Sequence, residues 1–280
     1  MSLAADRRSE AGRLLRLIVT RPAAEAGGWV DALQAAGWPA AALPLIHITE
    51  PRDAATALAL QQARADWSGM DALMFVSGAA VSHFFAHGVA PAPGTNLRTR
   101  FWAPGPGTGR VLAQALAGLG LDASRIDAPP ADAAQFDSEA LWPVVAPQVL
   151  AGRRILVVRG VSVDALTAQP NPVSGNGRDW LIRQCEAAGA LVQTCVAYER
   201  RAPDWTDDTR TQAQQAQAAG SVWLFSSSEA LDHLLVADPR ADWSHAEALV
   251  THPRIAERAR QAGFGRVRRP DRPCPTCCAL

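Results

Sequence analysis

The chain repeats itself, and this limits the fold more than any other feature. Phe75-Val-Ser77-Gly-Ala-Ala80-Val81-Ser-His83-Phe-Phe85 aligns without gaps on Phe225-Ser-Ser227-Ser-Glu-Ala230-Leu231-Asp-His233-Leu-Leu235. Leu17-Ile-Val-Thr20-Arg21-Pro22 matches Ile155-Leu-Val-Val158-Arg159-Gly160, and Ala35-Ala36-Gly37 matches Ala187-Ala188-Gly189. Pro106-Gly-Thr108 matches Pro253-Arg254-Ile255 more loosely. These segments recur in one order, so the chain reads as two copies of one unit. Its 280 residues suit two domains of ordinary size.

Each unit alternates short apolar runs with amphipathic stretches. Leu15–Val19, Ala41–Ile48, Leu73–Val76, Phe101–Ala103, Ile155–Val158, Leu191–Ala197, Val222–Phe225 and Ala248–Val250 are expected as strands. Pro22 opens a helix whose apolar face is Trp29, Val30 and Leu33, and Gly37 ends it. Further helices are expected through Val81 and Phe84, after Gly105-Pro-Gly-Thr108, from Ser138 with Asp137 or Ser138 as N-cap, and from Asp179 to Ala188. Strand–helix alternation implies an α/β fold with doubly wound parallel sheets.

Such sheets gather ligands at the carboxyl ends of their strands. Those ends carry Thr20-Arg21, Ser77-Gly78, Gly105 to Thr108, Arg159-Gly160, Ser226 to Ser228, and Thr251 to Arg254. No acidic residue sits in these turns. Any one hydroxyl is explained as a helix cap, but the set, collected in two related units, favours an anion-rich ligand.

Charge and absences narrow the chemistry. Lys+Arg and Asp+Glu are 27 each, which argues against a nucleic-acid partner. Every cation is arginine, which removes P-loop, Schiff-base and general-base lysines but keeps bidentate recognition of carboxylates. GxGxxG after a strand, GxSxG and metal-spaced histidine pairs are missing, so neither cofactor nor metal is expected. His83 and His233 are expected to pack or face solvent, and His252 is better placed, at a strand end.

No apolar stretch reaches the roughly 20 residues of a membrane span, and no secretory leader is evident. Cys185 and Cys195 read as buried thiols. Cys274, Cys277 and Cys278 have no companion ligands for zinc. Cys277-Cys278-Ala279-Leu280 has the form of a prenylation box, but the Ala- and Arg-rich composition is bacterial in character. The tail from about Pro270 is expected to be flexible and without chemical role, and the chain to be cytoplasmic.

Tyr198 is the chain's one tyrosine. It is expected just past the strand Leu191–Ala197. A phenol there can donate a proton or hydrogen bond at neutral pH; an amphipathic residue at a domain edge would look the same.

Together these residues resemble the uroporphyrinogen-III synthase family. The likeness runs from Leu17 to about Val267, through Val19-Thr20-Arg21-Pro22, Pro44-Leu-Ile-His-Ile48, Phe75-Val-Ser77, Gly105-Pro-Gly-Thr108, Phe136-Asp-Ser138-Glu139, Val158-Arg159-Gly160, Gly177-Arg178, Val196-Ala-Tyr198-Glu-Arg200, Phe225-Ser-Ser227 and His252-Pro-Arg254-Ile-Ala256. Three features depart from the family pattern: an insertion over Ser162–Asn176, Gly78 in place of Pro or Asn, and the tail.

The resemblance implies two flavodoxin-like domains joined by two linkers, near Ile46–Pro51 and Tyr198–Pro203. Residues 1–47 plus 201–280 would form one domain and 48–200 an inserted second, with the active site in the cleft between them. The repeat alone equally permits halves split near residue 150. The implied substrate is hydroxymethylbilane, a linear tetrapyrrole with eight carboxylates, dehydrated and cyclised with inversion of its last ring. Tyr198 would help the hydroxyl depart, and Arg21, Ser77, Thr108, Arg159, Ser227 and Arg254 would bind carboxylates. A monomer that takes its substrate in a transient hand-over from hydroxymethylbilane synthase is implied, without cofactor, nucleic acid or membrane. The competing readings are a two-domain module that binds an anion without turnover, and a flavodoxin-like nucleotide or flavin binder.

Overall fold

The computed structural model describes residues 15–86, 91, 97–133, 135–164, 170–171, 176–218 and 220–269. The chain divides into two compact units, residues 1–47, 163–169 and 201–280, and residues 48–162 and 170–200. It opens with β1 (Arg16–Val19), α1 (Ala23–Ala35) and β2 (Ala40–Ala42). Next come β3 (His47–Thr49), α2 (Ala54–Asp66), β4 (Ala72–Phe75), α3 (Gly78–Phe84), β5 (Arg100–Trp102), α4 (Pro106–Gly118), β6 (Ile126–Asp127) and α5 (Ser138–Val145). β7 (Arg154–Val163), β8 (Pro170–Asn171), α6 (Asn176–Ala187) and β9 (Leu191–Arg201) follow. The chain then returns to the first unit with α7 (Asp207–Gln215), β10 (Ser221–Phe225), α8 (Ser228–Ala237), β11 (Glu247–Val250), α9 (Pro253–Gln261) and β12 (Arg266–Arg268).

The sheet of the first unit runs β12-β11-β10-β1-β2 among the described residues, parallel at every pairing. Counted within the unit this is the order 2-1-3-4-5 of a doubly wound sheet. The second sheet runs β3-β9-β7-β4-β5-β6, with β8 on β7, and is parallel from β9 to β6. The winding reverses between β1 and β10 in one unit and between β4 and β7 in the other. In open α/β sheets ligands bind beside such reversals, at the carboxyl ends of the strands.

The helices start where the sequence offers caps. Asp53 accepts from the Thr56 N–H at 2.8 Å, Ser77 from Ala80 at 3.2 Å and Asp137 from Ala140 at 2.8 Å. Each satisfies a backbone donor that a first turn leaves free. Thr206 and Thr209 close a reciprocal capping box on α7. Pro106 and Pro253 take first-turn positions, where a missing N–H costs nothing. Gly37 has φ 81 just beyond α1, the left-handed conformation that ends a helix.

Two cores hold the sheets. In the second unit Leu73, Met74, Phe75, Phe84, Phe101, Trp102, Leu112 and Leu116 are almost fully buried. Large apolar side chains contribute about 1.5–3 kcal/mol each when buried. In the first unit Trp223, Phe225, Trp243 and Phe264 form a ring cluster, with Trp243 and Phe264 stacked at 5.2 Å. Cys185 and Cys195 are buried, and burial pushes both thiols up to about 11, so neither is nucleophilic at neutral pH.

Four expectations need correction. The run Ala41–Ile48 is not one strand. It splits into β2 and β3, which belong to different sheets, and Pro44, which has no N–H to pair, lies between them. Arg159-Gly160, expected at a strand end, lies inside β7, which runs on to Val163. The stretches expected as linkers hold the unit boundaries at 47/48 and 200/201 and also carry strand, since β3 and β9 are neighbours in the second sheet. Tyr198 lies inside β9 rather than after its strand, because β7 and β9 stay paired beyond the bulge at Arg159/Gly160, with Gly160 opposite Tyr198. The tail cysteines and most of the insertion, residues 165–169 and 172–175, lie outside the described residues, as does the side chain of Arg178.

Candidate active site

In the second unit Ser77 and His83 lie against Tyr198. This side chain is 5% exposed, and its hydroxyl lies 3.1 Å from Ser77 Oγ. Ser77 ends β4 and also caps α3, so its oxygen is fixed by the Ala80 N–H while it meets the phenol. A Cβ on Gly160 would come within 2.2 Å of Tyr198 Cζ, so only glycine lets the backbone run this close to the ring. The β-bulge sets that approach.

His83, near the end of α3, places its ring 5.8 Å from the Tyr198 ring at an interplanar angle of 30°. The end of α3 is held by Arg64, itself 7% exposed. Arg64 donates to the carbonyls of His83 and of Phe84, the latter at 3.0 Å, and to Glu50 Oε1 at 2.6 Å. Burial pulls the His83 imidazole below its ordinary 6.5; Glu50 opposes the shift and Arg64 adds to it. His83 therefore stands uncharged at neutral pH. Sequence reasoning missed both His83 and Gly160. The repeat singles out their positions but not the phenol they share.

The other expected residues of this unit lie in α4 and inside β7. Thr108 is half-buried in the first turn of α4. A Cβ on Gly78 would meet Val111 Cγ2 at 3.2 Å, so the starts of α3 and α4 lie close together. Arg159 is half-buried on β7, one residue before Gly160 and 3.7 Å from Asp179 Oδ1.

In the first unit the corresponding places look different. Arg21 binds Glu25 Oε2 at 2.7 Å and lies 5.0 Å above the Trp29 ring. Ser227 occupies the N-cap position of α8 without a side-chain cap bond. Arg254 is exposed, and its N–H donates to His252 Nδ1 at 3.1 Å, so His252 caps α9. His233 is 4% exposed, with Nδ1 2.7 Å from the Leu45 carbonyl. Among the described residues no group of three or more His, Cys, Asp or Glu side chains could hold a metal ion, and no helix is long and apolar enough to cross a membrane.

The chain thus has two doubly wound α/β units, one of them with a buried phenol hydrogen-bonded to the serine that ends β4. The family model described as uroporphyrinogen-III synthase HemD matches residues 28–276, so the chain belongs to the uroporphyrinogen-III synthase family, cyclising lyases of tetrapyrrole biosynthesis. Among solved structures, the uroporphyrinogen-III synthetase of Helicobacter pylori 26695 is 12% identical, with 95% of this chain and 97% of that one covered and a TM-score of 0.53. A mutant uroporphyrinogen III synthase of the extremely thermophilic bacterium Thermus thermophilus is 16% identical, with 92% and 94% covered and a TM-score of 0.45. Comparison with curated proteins gives no match.

Proposed function

We propose that Tyr198 carries the synthase reaction, by hydrogen bonding or proton donation to the departing hydroxyl of hydroxymethylbilane. The observation that supports this is the buried phenol held by Ser77 at 3.1 Å and packed on Gly160. A phenol fixed in a partly dry setting is a stronger donor than one in water. The C–O bond breaks as the neighbouring pyrrole nitrogen supplies its electron pair, water leaves, and a cationic azafulvene remains. The inverted last ring then closes through a spiro intermediate. The substrate closes unaided to the wrong isomer, so specificity is a matter of orientation.

The eight carboxylates are received by Ser77, Thr108 and Arg159 of the second unit and by Arg21, Ser227 and Arg254 of the first. The chain order supports a discontinuous first domain, 1–47 plus 201–280, around an inserted 48–200, since the division into units falls at residues 47/48 and 200/201. In this reading the protein is a cytoplasmic monomer, needs no cofactor, and takes its substrate directly from hydroxymethylbilane synthase. Balanced charge fits a polyanion held by local arginines.

The test is to add purified protein to freshly generated hydroxymethylbilane, oxidise the products and separate uroporphyrin I from III. Isomer III in proportion to added protein is expected. Isomer I alone, at the spontaneous rate, would leave only a binding module.

A further inference from the structure

Nothing in the synthase reading uses His83. Its ring lies 5.8 Å from that of Tyr198 at a 30° tilt, and it sits one residue before the C-terminal end of α3. That end is unusually well fixed. Arg64 donates to the carbonyls of both His83 and Phe84 and is itself held by Glu50. A buried arginine tying down a helix end removes freedom from the residue that the helix presents.

We propose that His83 is a positioning residue for Tyr198: its imidazole, on a helix end tied down by Arg64, fixes the phenol where Ser77 meets its hydroxyl. The inference rests on the assignment of Tyr198 to the reaction. Ring packing limits the tilt of the phenol, while the Ser77 contact sets the direction of its O–H. A misplacement of about 1 Å in such a group can cost up to about 100-fold in rate.

The charged groups around His83 are few. Glu50 precedes α2, Arg64 is on α2, and Tyr198 is the ionisable group facing it from β9. α3 carries no other ionisable side chain. Arg110, the ionisable residue of α4, is exposed to solvent. Protonating His83 therefore puts a cation beside the phenol ring and close to the Arg64 guanidinium, and the Tyr198 environment should change as the pH falls below 6.5.

Tyr198 can be observed without any activity, because the chain has a single tyrosine. Protein grown with tyrosine labelled with carbon-13 at Cζ gives one resonance. In the wild type that resonance should be narrow and should move in one step below pH 6.5. His83→Phe keeps a ring there. It should hold the resonance near its wild-type position, abolish the step, and form isomer III within about 3-fold of the wild-type rate. His83→Ala should shift or broaden the resonance and lower kcat about 10-fold, with KM within about 2-fold and an unchanged thermal midpoint. An unmoved resonance and unchanged kcat in His83→Ala would overturn the proposal. A shifted resonance in His83→Ala alongside a fully active Tyr198→Phe would uphold the positioning and instead remove Tyr198 from the reaction.

Discussion

His83 and His233 occupy the same place in the two copies of the repeat, yet one packs beside a phenol and the other is buried on the Leu45 carbonyl. Ser77 and Ser227 diverge in the same way. Ser77 joins Ala80 and Tyr198, whereas Ser227 makes no cap bond through its side chain. Thr20, just past β1, is committed to the Leu224 carbonyl at 2.6 Å, while its counterpart Val158 is followed by the Arg159/Gly160 bulge, where the backbone admits the Tyr198 ring. One fold thus supports two offices. In the second unit the end of β4 and the interior of β9 hold a hydroxyl pair, while the matching places of the first unit carry structural bonds and an exposed arginine. What a repeat preserves is the place of a residue; its work depends on what the neighbouring strand brings opposite it.

That contrast can be broken by substitution. Gly160→Ala should give the largest effect, because a Cβ 2.2–2.7 Å from three atoms of the phenol ring must displace it. We expect isomer III formation to fall about 100-fold and stability by about 1–3 kcal/mol, read by kinetics and thermal melting. Arg254→Ala removes an exposed cation of the first unit. It should raise KM about 10-fold with kcat little changed, as loss of a charged hydrogen bond of about 1.5 kcal/mol implies. Arg21→Ala should raise KM only about 3-fold, because its guanidinium is already shared with Glu25 and Trp29. A KM effect of Arg21→Ala larger than that of Arg254→Ala would reverse this ranking.

His233→Ala marks the other end of the comparison. It orphans the Leu45 carbonyl in a buried setting and should lower the stability by about 1–3 kcal/mol. Turnover per folded molecule should stay within about 2-fold of wild type. A kinetic defect without a drop in thermal midpoint would place His233 among the working residues and dissolve the difference between the units.

Much of this was legible in the sequence. Short apolar runs marked β1, β4, β7, β10 and β11, and Asp137, Pro106 and Pro253 marked helix starts. Tyr198 and Ser77 stood out by residue type and place, although only pairing across β7, β9 and β4 brings them to 3.1 Å. The break at Pro44 was missed because the apolar run continues through it, and hydrophobicity does not report which sheet a strand joins. The extension of β7 and β9 was hidden because Arg159, Gly160, Glu199 and Arg200 look like a turn, yet they pair across the bulge. Arg64 carried no signal at all. Nothing local distinguishes a buried arginine that binds the carbonyls ending another helix from an exposed one on an amphipathic face.

If Tyr198 of the second unit helps the hydroxyl depart, as proposed, its phenolic oxygen is what the reaction needs. Tyr198→Phe removes one oxygen and leaves the ring against Gly160 in place. Isomer analysis in single turnover, beside a measurement of uroporphyrinogen III affinity, tests the claim most directly. Isomer III formation should slow about 100-fold, so that spontaneous isomer I overtakes it, with product affinity near wild type. Isomer III formed at the wild-type rate would contradict it and return Tyr198 to a packing role.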